Sequence, residues 1–394
     1  MRQERSEMKE RVVQLADKYF ERVIELRRKI HANPELSWQE NETSALVTSE
    51  LNKLPIQVQS GIATNGVVGI LEGKNPGKKC IALRADMDAL PIQEENKLEY
   101  SSKKPGVMHA CGHDVHTANL LGVSMILSEL KNEFEGTIKF IFQPSEEKMP
   151  SGAEAMIKAG VLQNPSVQKI FGLHVSPELE VGTFGFHEGK FMASSDEIYL
   201  TVIGKGGHAA QPQNFINPLL IAAEILTTLT PFTDLEVPTV LSFGKIEGKG
   251  ATNIIPDKVE IAGTLRCFDE SLRSEMHERI KVVCNAIARK NNGTCEVNIL
   301  KGYPVLVNDL ELTHTTRQIA SDFVNEQNII DLPIRMGSED FAFYTHHVPA
   351  CFYRLGVGNK QQGITSGIHT PTFNIDEQAL KGSMALMSWI AINS

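Results

Sequence analysis

Apolar positions Val13, Leu15, Phe20, Ile24 and Leu26 to Ile30 follow a helical period through a charged N-terminal stretch, and HANPEL ends it. Short runs of branched and apolar residues come next. IALRADMDAL leads into a carboxylate-rich end, GTIKFIFQPSEE does the same, and KIFGLHVSPE carries His174 at the close of its apolar run. Between them, HTANLLGVSMILSELK and GAEAMIKAGVL read as helices. Strands alternating with helices predict an α/β domain on a largely parallel sheet. Such sheets bind ligands beyond the carboxyl ends of their strands, where the unusual polar residues of this chain cluster.

From about Ser194 the pattern changes. DEIYLTVIGKGG reads as a strand, PLLIAAEILTTLTPF as a helix, and TVLSFGKIEG and DKVEIAGTLRCF as two strands. ESLRSEMHERIKVVCNAIARK is a helix and TCEVNILKGYP a strand, which completes the β-α-β-β-α-β order of a ferredoxin-like sandwich. The α/β pattern then resumes, with a helix from about Asp309 and a strand in PACFYRLGVG. The expected organisation is a mainly parallel-sheet α/β domain over 1–193 and 303–394, interrupted by a ferredoxin-like α+β domain over 194–302.

Composition narrows the function classes. The 394 residues are 41% hydrophobic and 22% charged, ordinary for a folded globular chain. A net charge of −9 argues against a nucleic-acid binder, which usually shows a basic stripe. Cys80, Cys111, Cys267, Cys284, Cys295 and Cys351 are scattered without a CxxC pair, which fits free thiols in a reducing compartment. The N-terminus lacks the apolar centre of a signal peptide, and no uncharged apolar run approaches the ~18 residues of a membrane span. The expected location is the cytoplasm, with no membrane partner.

HACGHDVHT is the sharpest cluster. Cys111 and His113 are transition-metal ligand types two residues apart, flanked by Asp114 and His116, and acidic neighbours commonly orient a ligating imidazole. A buried Cys beside a hydrogen-bonded His would look the same. QPSEE places Glu146 and Glu147 side by side after an apolar run, a costly pairing unless a cation or proton separates their roles. In a metal site one can ligate while the other takes a proton from water; in a solvated loop neither does anything. His174 and His369 would each be unremarked alone, and Asp88, in RADMDALP, could support a ligating His. Together, five candidate ligands and a spare carboxylate at the strand ends of one domain favour a metal site. The inserted domain adds His208 after Gly-Gly, Asn253 before a turn, and Arg266, whose fork suits a substrate carboxylate.

ADMDALP, MHACGHDVHTA, FQPSEE, GLHV, GGHAA, TNIIPDKVEIAGTLR and MGSEDFAFY occur in an order and spacing that resembles the dinuclear metal-dependent amidohydrolases. These are the aminoacylase, hippurate hydrolase and indole-acetyl-amino-acid hydrolase type, subfamily D of metallopeptidase family twenty. The resemblance runs from about Arg27 to the C-terminal histidine region. It implies two divalent ions, Zn²⁺ or Mn²⁺, held by Cys111, His113, Glu147, His174 and His369, with Cys111 as the bridge. It implies Glu146 as general base, Asp88 as the family's supporting Asp, and a lid and dimerisation domain carrying His208, Asn253 and Arg266. Glu339 would line the substrate site. Thr370 stands between His369 and Pro371, where the family commonly has Ser or Gly. The implied reaction is hydrolysis of an N-acyl amino acid, with short peptides as the alternative substrate, by a homodimer or higher homo-oligomer. A non-catalytic metal-thiolate protein is the rival class, but a structural site gains nothing from a spare Glu146 beside a ligand.

Overall fold

The computed structural model describes residues 2–229 and 236–394, which form two compact units. One comprises Met1–Gly189, Val307–Pro333 and Phe343–Ser394, and the other Lys190–Leu306 and Ile334–Ala342. The segment Ile334–Ala342, expected with the α/β domain, belongs to the second unit and carries Glu339 into it.

The first unit is built on an eight-stranded sheet. Its order is Gln57–Ile62, Gly66–Glu72, Thr137–Gln143, Cys80–Asp86, Lys169–Glu180, Ala350–Gly358, Phe184–Phe186 and Ile329–Asp331. The four central strands, from Thr137–Gln143 to Ala350–Gly358, run parallel. A hairpin of Gln57–Ile62 and Gly66–Glu72 adds an antiparallel edge. Cys80–Asp86, Thr137–Gln143 and Ala350–Gly358 are buried along their whole length, which is why they read as unbroken apolar runs and not as alternation.

The N-terminal helix, Arg2–Ala32, stops just before Asn33-Pro34, since the residue preceding a proline is pushed out of the helical region. It packs on His113–Glu129 and on Gln378–Asn393, and these two also pack on each other. The hairpin and the Gln378–Asn393 helix were not anticipated from the pattern. That helix is buried from Ser383 to Ala391, so it has no polar face to give a helical stripe. Among the described residues no helix is long and apolar enough to cross a membrane.

In the second unit the four strands lie in the order Thr239–Glu247, Lys258–Cys267, Asp196–Ile203 and Thr294–Lys301, all antiparallel. With helices Pro218–Leu229 and Glu270–Lys290 this is the expected ferredoxin-like order; the last expected helical residues, 230–232, lie outside the described residues. Asp196–Ile203 alternates inward and outward, and Ile198, Leu200 and Val202 meet Ile221, Ile225, Ile280 and Cys284 in the core.

Asp196, fully buried, anchors this unit. Its two oxygens accept from Arg273 Nη2 at 2.5 Å and Nε at 2.9 Å, His277 Nε2 lies 2.6 Å away, and Gly302 N–H donates at 3.1 Å. Burial alone would raise its pKa, but Arg273 and His277 outweigh that and hold it at about 2. A depressed carboxylate contributes stability that is present above its unfolded pKa of about 3.9 and is lost as the pH falls through the folded value. Asp196→Asn should therefore destabilise the protein by roughly 2–3 kcal/mol at pH 7, because it removes the buried charge facing Arg273 and leaves that side chain only Glu270 as an acidic partner. In denaturant melts from pH 4 down to pH 2 the gap between wild type and variant should narrow. A gap that stays constant over that range would exclude an ionised Asp196 as the anchor.

Candidate metal centre

Three neighbouring parallel strands bring the candidate residues together. Cys80–Asp86 ends at Asp86 and turns to Asp88; Thr137–Gln143, in register with it at Gln143, leads into the turn bearing Glu146 and Glu147. His174 does not end its strand, as its sequence suggested, because the strand runs on to Glu180. Its pairing with the Cys80 strand stops at Gly172, opposite Arg84, so His174 lies two residues past the last paired position.

Cys111 precedes the buried helix His113–Glu129. Gly112, at φ +86°, makes the bend, and a Cβ there would stand 2.5 Å from Val175 Cγ2. Only glycine fits the bend and the close approach of the His174 strand. His369 arrives from the C-terminal region, its N–H donating to Ala110 O at 2.7 Å, and its φ of +60° is an uncommon conformation for a residue with a side chain. Its imidazole is half exposed and forms the open side of the cluster.

The ring nitrogens divide into used and available. His116 has both occupied: Nδ1 lies 2.6 Å from Asp86 Oδ1, and Val175 N–H donates to Nε2 at 3.0 Å. His174 Nδ1 lies 2.7 Å from Val175 O, which takes its proton and leaves Nε2 as a lone pair 3.3 Å from Cys111 Sγ. His113 Nδ1 lies 3.3 Å from Asp88 Oδ1, while its Nε2 is buried without a hydrogen-bond partner. Glu147 Oε1 is likewise buried and unpartnered, 3.8 Å from that Nε2 and 3.4 Å from His369 Nε2. His369 Nε2 is 3.3 Å from Cys111 Sγ. Ligand atoms of Cys111, His113 and His174 lie within 4.8 Å of one another, as do those of Cys111, Glu147 and His369. Cys111 is common to the two groups.

The electrostatics ask for cations. Burial raises the Cys111 thiol pKa, and Glu147 and Glu146 raise it further. Burial presses His113 toward neutrality, but Asp86, Asp88 and Glu147 overcome it and hold its pKa up at about 10. Burial, reinforced by Arg354 and His116, keeps His174 neutral. A thiol, three imidazoles and a carboxylate, with orphaned Nε2 and Oε1 atoms converging, fit a transition-metal site of soft and borderline donors.

Asp88 organises this cluster. Its carboxylate accepts from the Glu146 and Glu147 amides at 3.0 and 2.9 Å and from Ser37 Oγ at 2.6 Å, besides facing His113. Asp114, which the motif suggested as an orienting acid, turns away; it pairs with Arg27 Nε at 2.7 Å and His31 Nδ1 at 2.8 Å. The orienting acids are Asp88 for His113 and Asp86 for His116, and Arg84 in turn holds Asp86 at 2.5 Å. His116 and Asp86 escaped assignment from sequence. Helical spacing was the available signal, since His116 stands three residues after His113 on one face.

The second unit holds the remaining candidates. His208 pairs with Ile254 in a two-stranded sheet, and Ala209 N–H donates to Asn253 O at 3.1 Å, so His208 and Asn253 are neighbours. Ala210 N–H donates to His208 Nδ1 at 3.1 Å, which places the proton of a neutral ring on the outward Nε2. Arg266 Nη1 donates to Ser338 Oγ at 2.7 Å, one residue from Glu339, whose Oε1 accepts from Phe341 N–H at 3.0 Å.

Residues 82–392 match the model of peptidase family M20/M25/M40. The chain is 38% identical to the IAA-amino acid hydrolase ILR1-like 4 of Arabidopsis thaliana over 382 residues, 95% of this chain and 86% of the relative. It is 39% identical to thermostable carboxypeptidase 2 of Saccharolobus solfataricus over 371 residues, covering 92% and 93% of the two chains. Among solved structures, a dinuclear metal-binding peptidase of the M20 family from Bacillus subtilis aligns with a TM-score of 0.82 at 34% identity, covering 96% of this chain and 98% of that one.

The division of imidazoles sets a test. His113→Asn should reduce bound metal from two ions toward one. His116→Asn should retain two ions with affinity weakened about 10–100-fold, because it removes support and not a donor. Metal analysis after gel filtration, with titration of the apo-protein, separates the two; equal loss of ions from both variants would refute the division.

Proposed function

The chain belongs to peptidase family M20/M25/M40, and on that premise we propose that it hydrolyses N-acyl amino acids, using Glu146 beside two ions held by Cys111, His113, Glu147, His174 and His369. It is a metal-dependent hydrolase of amide bonds, and the family and the dinuclear relative support two divalent ions. The observation that carries the residue assignment is a pair of buried atoms without hydrogen-bond partners, His113 Nε2 at the start of its helix and Glu147 Oε1 on the turn that also bears Glu146, 3.8 Å apart. Zn²⁺ and Mn²⁺ both suit the donors: the thiolate of Cys111 favours Zn²⁺, and the imidazoles and Glu147 accept either.

Bound ions supply Lewis acidity and make water acidic enough to act near neutral pH. In our reading, the protein's own part begins with Asp88, which fixes the two glutamates by their amides so that Glu146 and Glu147 cannot exchange places. Glu146 then accepts the proton of the attacking water and returns it to the departing amine. His208, with its proton on Nε2, is suited to donate to the oxyanion that develops on the scissile carbonyl. Arg266 is assigned to the free carboxylate of the substrate, and Asn253 and Glu339 to its positioning.

The name of the Arabidopsis relative supports an acyl amino acid as substrate, and that of the archaeal relative supports a short peptide. We place the enzyme in the cytoplasm on the strength of its free cysteines. We also infer a homodimer. Among the described residues, the outer strands Thr239–Glu247 and Thr294–Lys301 have no second partner in their sheet, and they expose Val240, Ile246 and Leu300.

Activity of the metal-loaded protein on acetyl and benzoyl amino acids, run beside dipeptides, tests the substrate class; turnover of dipeptides alone would favour the peptidase alternative. Glu146→Gln should lower kcat by about 10²–10⁴-fold with two ions still bound. Glu147→Gln should lower metal content together with activity. The opposite pattern in metal analysis would reverse the two roles.

A further inference from the structure

The segment after the N-terminal helix holds none of the candidate ligands, yet it touches the centre repeatedly. Leu36 bridges to Ala89, Ser37 Oγ donates to Asp88, and Trp38 Nε1 donates to Pro150 O at 3.1 Å. Glu40 reaches furthest. Its side chain is fully buried, and Oε1 accepts the Ser145 N–H at 2.7 Å and the Trp38 N–H at 3.0 Å, while Oε2 accepts Asn65 Nδ2 at 3.0 Å. The amides of Ser145, Glu146 and Glu147 thus point, one after another, at two buried acids: the first at Glu40, the next two at Asp88.

Ser145 needs such a hold. Its φ is +49°, a conformation that costs a residue with a side chain of order 1–3 kcal/mol and persists only when its surroundings fix it. The turn also closes on itself, with Gly152 N–H donating to Ser145 O at 2.9 Å. A Cβ at Gly152 would stand 1.6 Å from Pro144 O, so the backbone there is already at contact.

We propose that Glu40 is a positioning residue for the hydrolytic reaction: by holding the Ser145 amide it sets the direction in which Glu146 and Glu147 leave the turn. The proposal rests on the roles assigned above to those two glutamates. Asp88 holds two amides but not the N–H of the strained residue ahead of them, whose carbonyl and hydroxyl bond only within the turn, and Glu40 supplies the third point that defines the plane of the turn. A misplacement of about 1 Å at a reacting group can cost about 10²-fold in rate, so the effect belongs in kcat.

Three variants test this. Glu40→Gln keeps one acceptor for the two amides, and Asn65 can turn its own oxygen toward the new NH₂, so activity should stay within about threefold of wild type. Glu40→Asp keeps the charge but falls one methylene short of spanning the two sides. It should lower kcat roughly ten- to hundredfold at saturating metal, with KM within about threefold. Glu40→Ala should lose at least as much; if it does not fold, Glu40→Asp decides. Unchanged kcat in a folded, metal-loaded Glu40→Asp would overturn the proposal, even with a lowered Tm, since a structural brace alone would act on stability. Amide exchange supplies a readout independent of turnover. Glu40→Asp should speed exchange at Ser145 at least tenfold while the strand Thr137–Gln143 remains protected. Should wild type cleave neither acyl amino acids nor peptides, the functional reading fails, and exchange at Ser145 still judges the tether: an unchanged rate rejects it.

Discussion

The carboxylate of Asp88 is the fixed point from which the candidate centre is measured. It is 1% exposed, and hydroxyl, imidazole and two backbone amides surround it. Burial alone would raise its pKa, yet the His113 ring and the other donors hold it low, so it stays ionised. A buried carboxylate is tolerated only when its lone pairs are matched, and here the matching groups are the backbone of Glu146 and Glu147 and the ring of His113. Removing this one group would release the orientation of an imidazole and of both glutamates together. Its partners are therefore coupled, and their mutational effects should not add.

A second constraint is charge. Asp86, Asp88, Glu146, Glu147 and the Cys111 sulfur are all buried or nearly so around a few imidazoles. Arg84 compensates Asp86, and His113 is drawn toward its charged form by the acids around it. The pocket asks for more positive charge than the side chains alone provide, and on the proposed reading divalent ions would answer that demand at His113 Nε2 and Glu147 Oε1, which are buried without hydrogen-bond partners. The parallel sheet makes such crowding possible. Several strand ends converge at one edge, and each needs only one or two polar residues for the group to become dense.

Much of this was legible in the sequence. The β-α-β-β-α-β order of the second unit and the main parallel strands follow from period and turn residues. Cys111, His113, Glu146, Glu147, His174, His369 and Asp88, each ambiguous alone, gained meaning from being expected together at strand ends; the structure brings them together, although only Asp88, Glu146 and Glu147 directly follow strands. The illegible parts have physical reasons. Gln378–Asn393 shows no polar stripe because it is buried on nearly all sides. Asp114 looked like the orienting acid because it is adjacent in sequence, but a helix turns successive side chains about 100° apart and sends it to Arg27. Glu40 lies 105 residues from the amide it holds, and no local pattern marks a contact at that separation. The path of 334–342 depends on how the chain returns after the inserted strands, which periodicity does not encode.

In the proposed reading, Cys111, His113 and His174 would hold one ion, and Cys111, Glu147 and His369 the other. Anomalous diffraction at the absorption edge of the reconstituted metal tests it most directly. Two anomalous peaks per chain are expected flanking Cys111 Sγ, one near each group of candidate ligands. A single peak, or two peaks with Cys111 outside bonding distance of either, would contradict it.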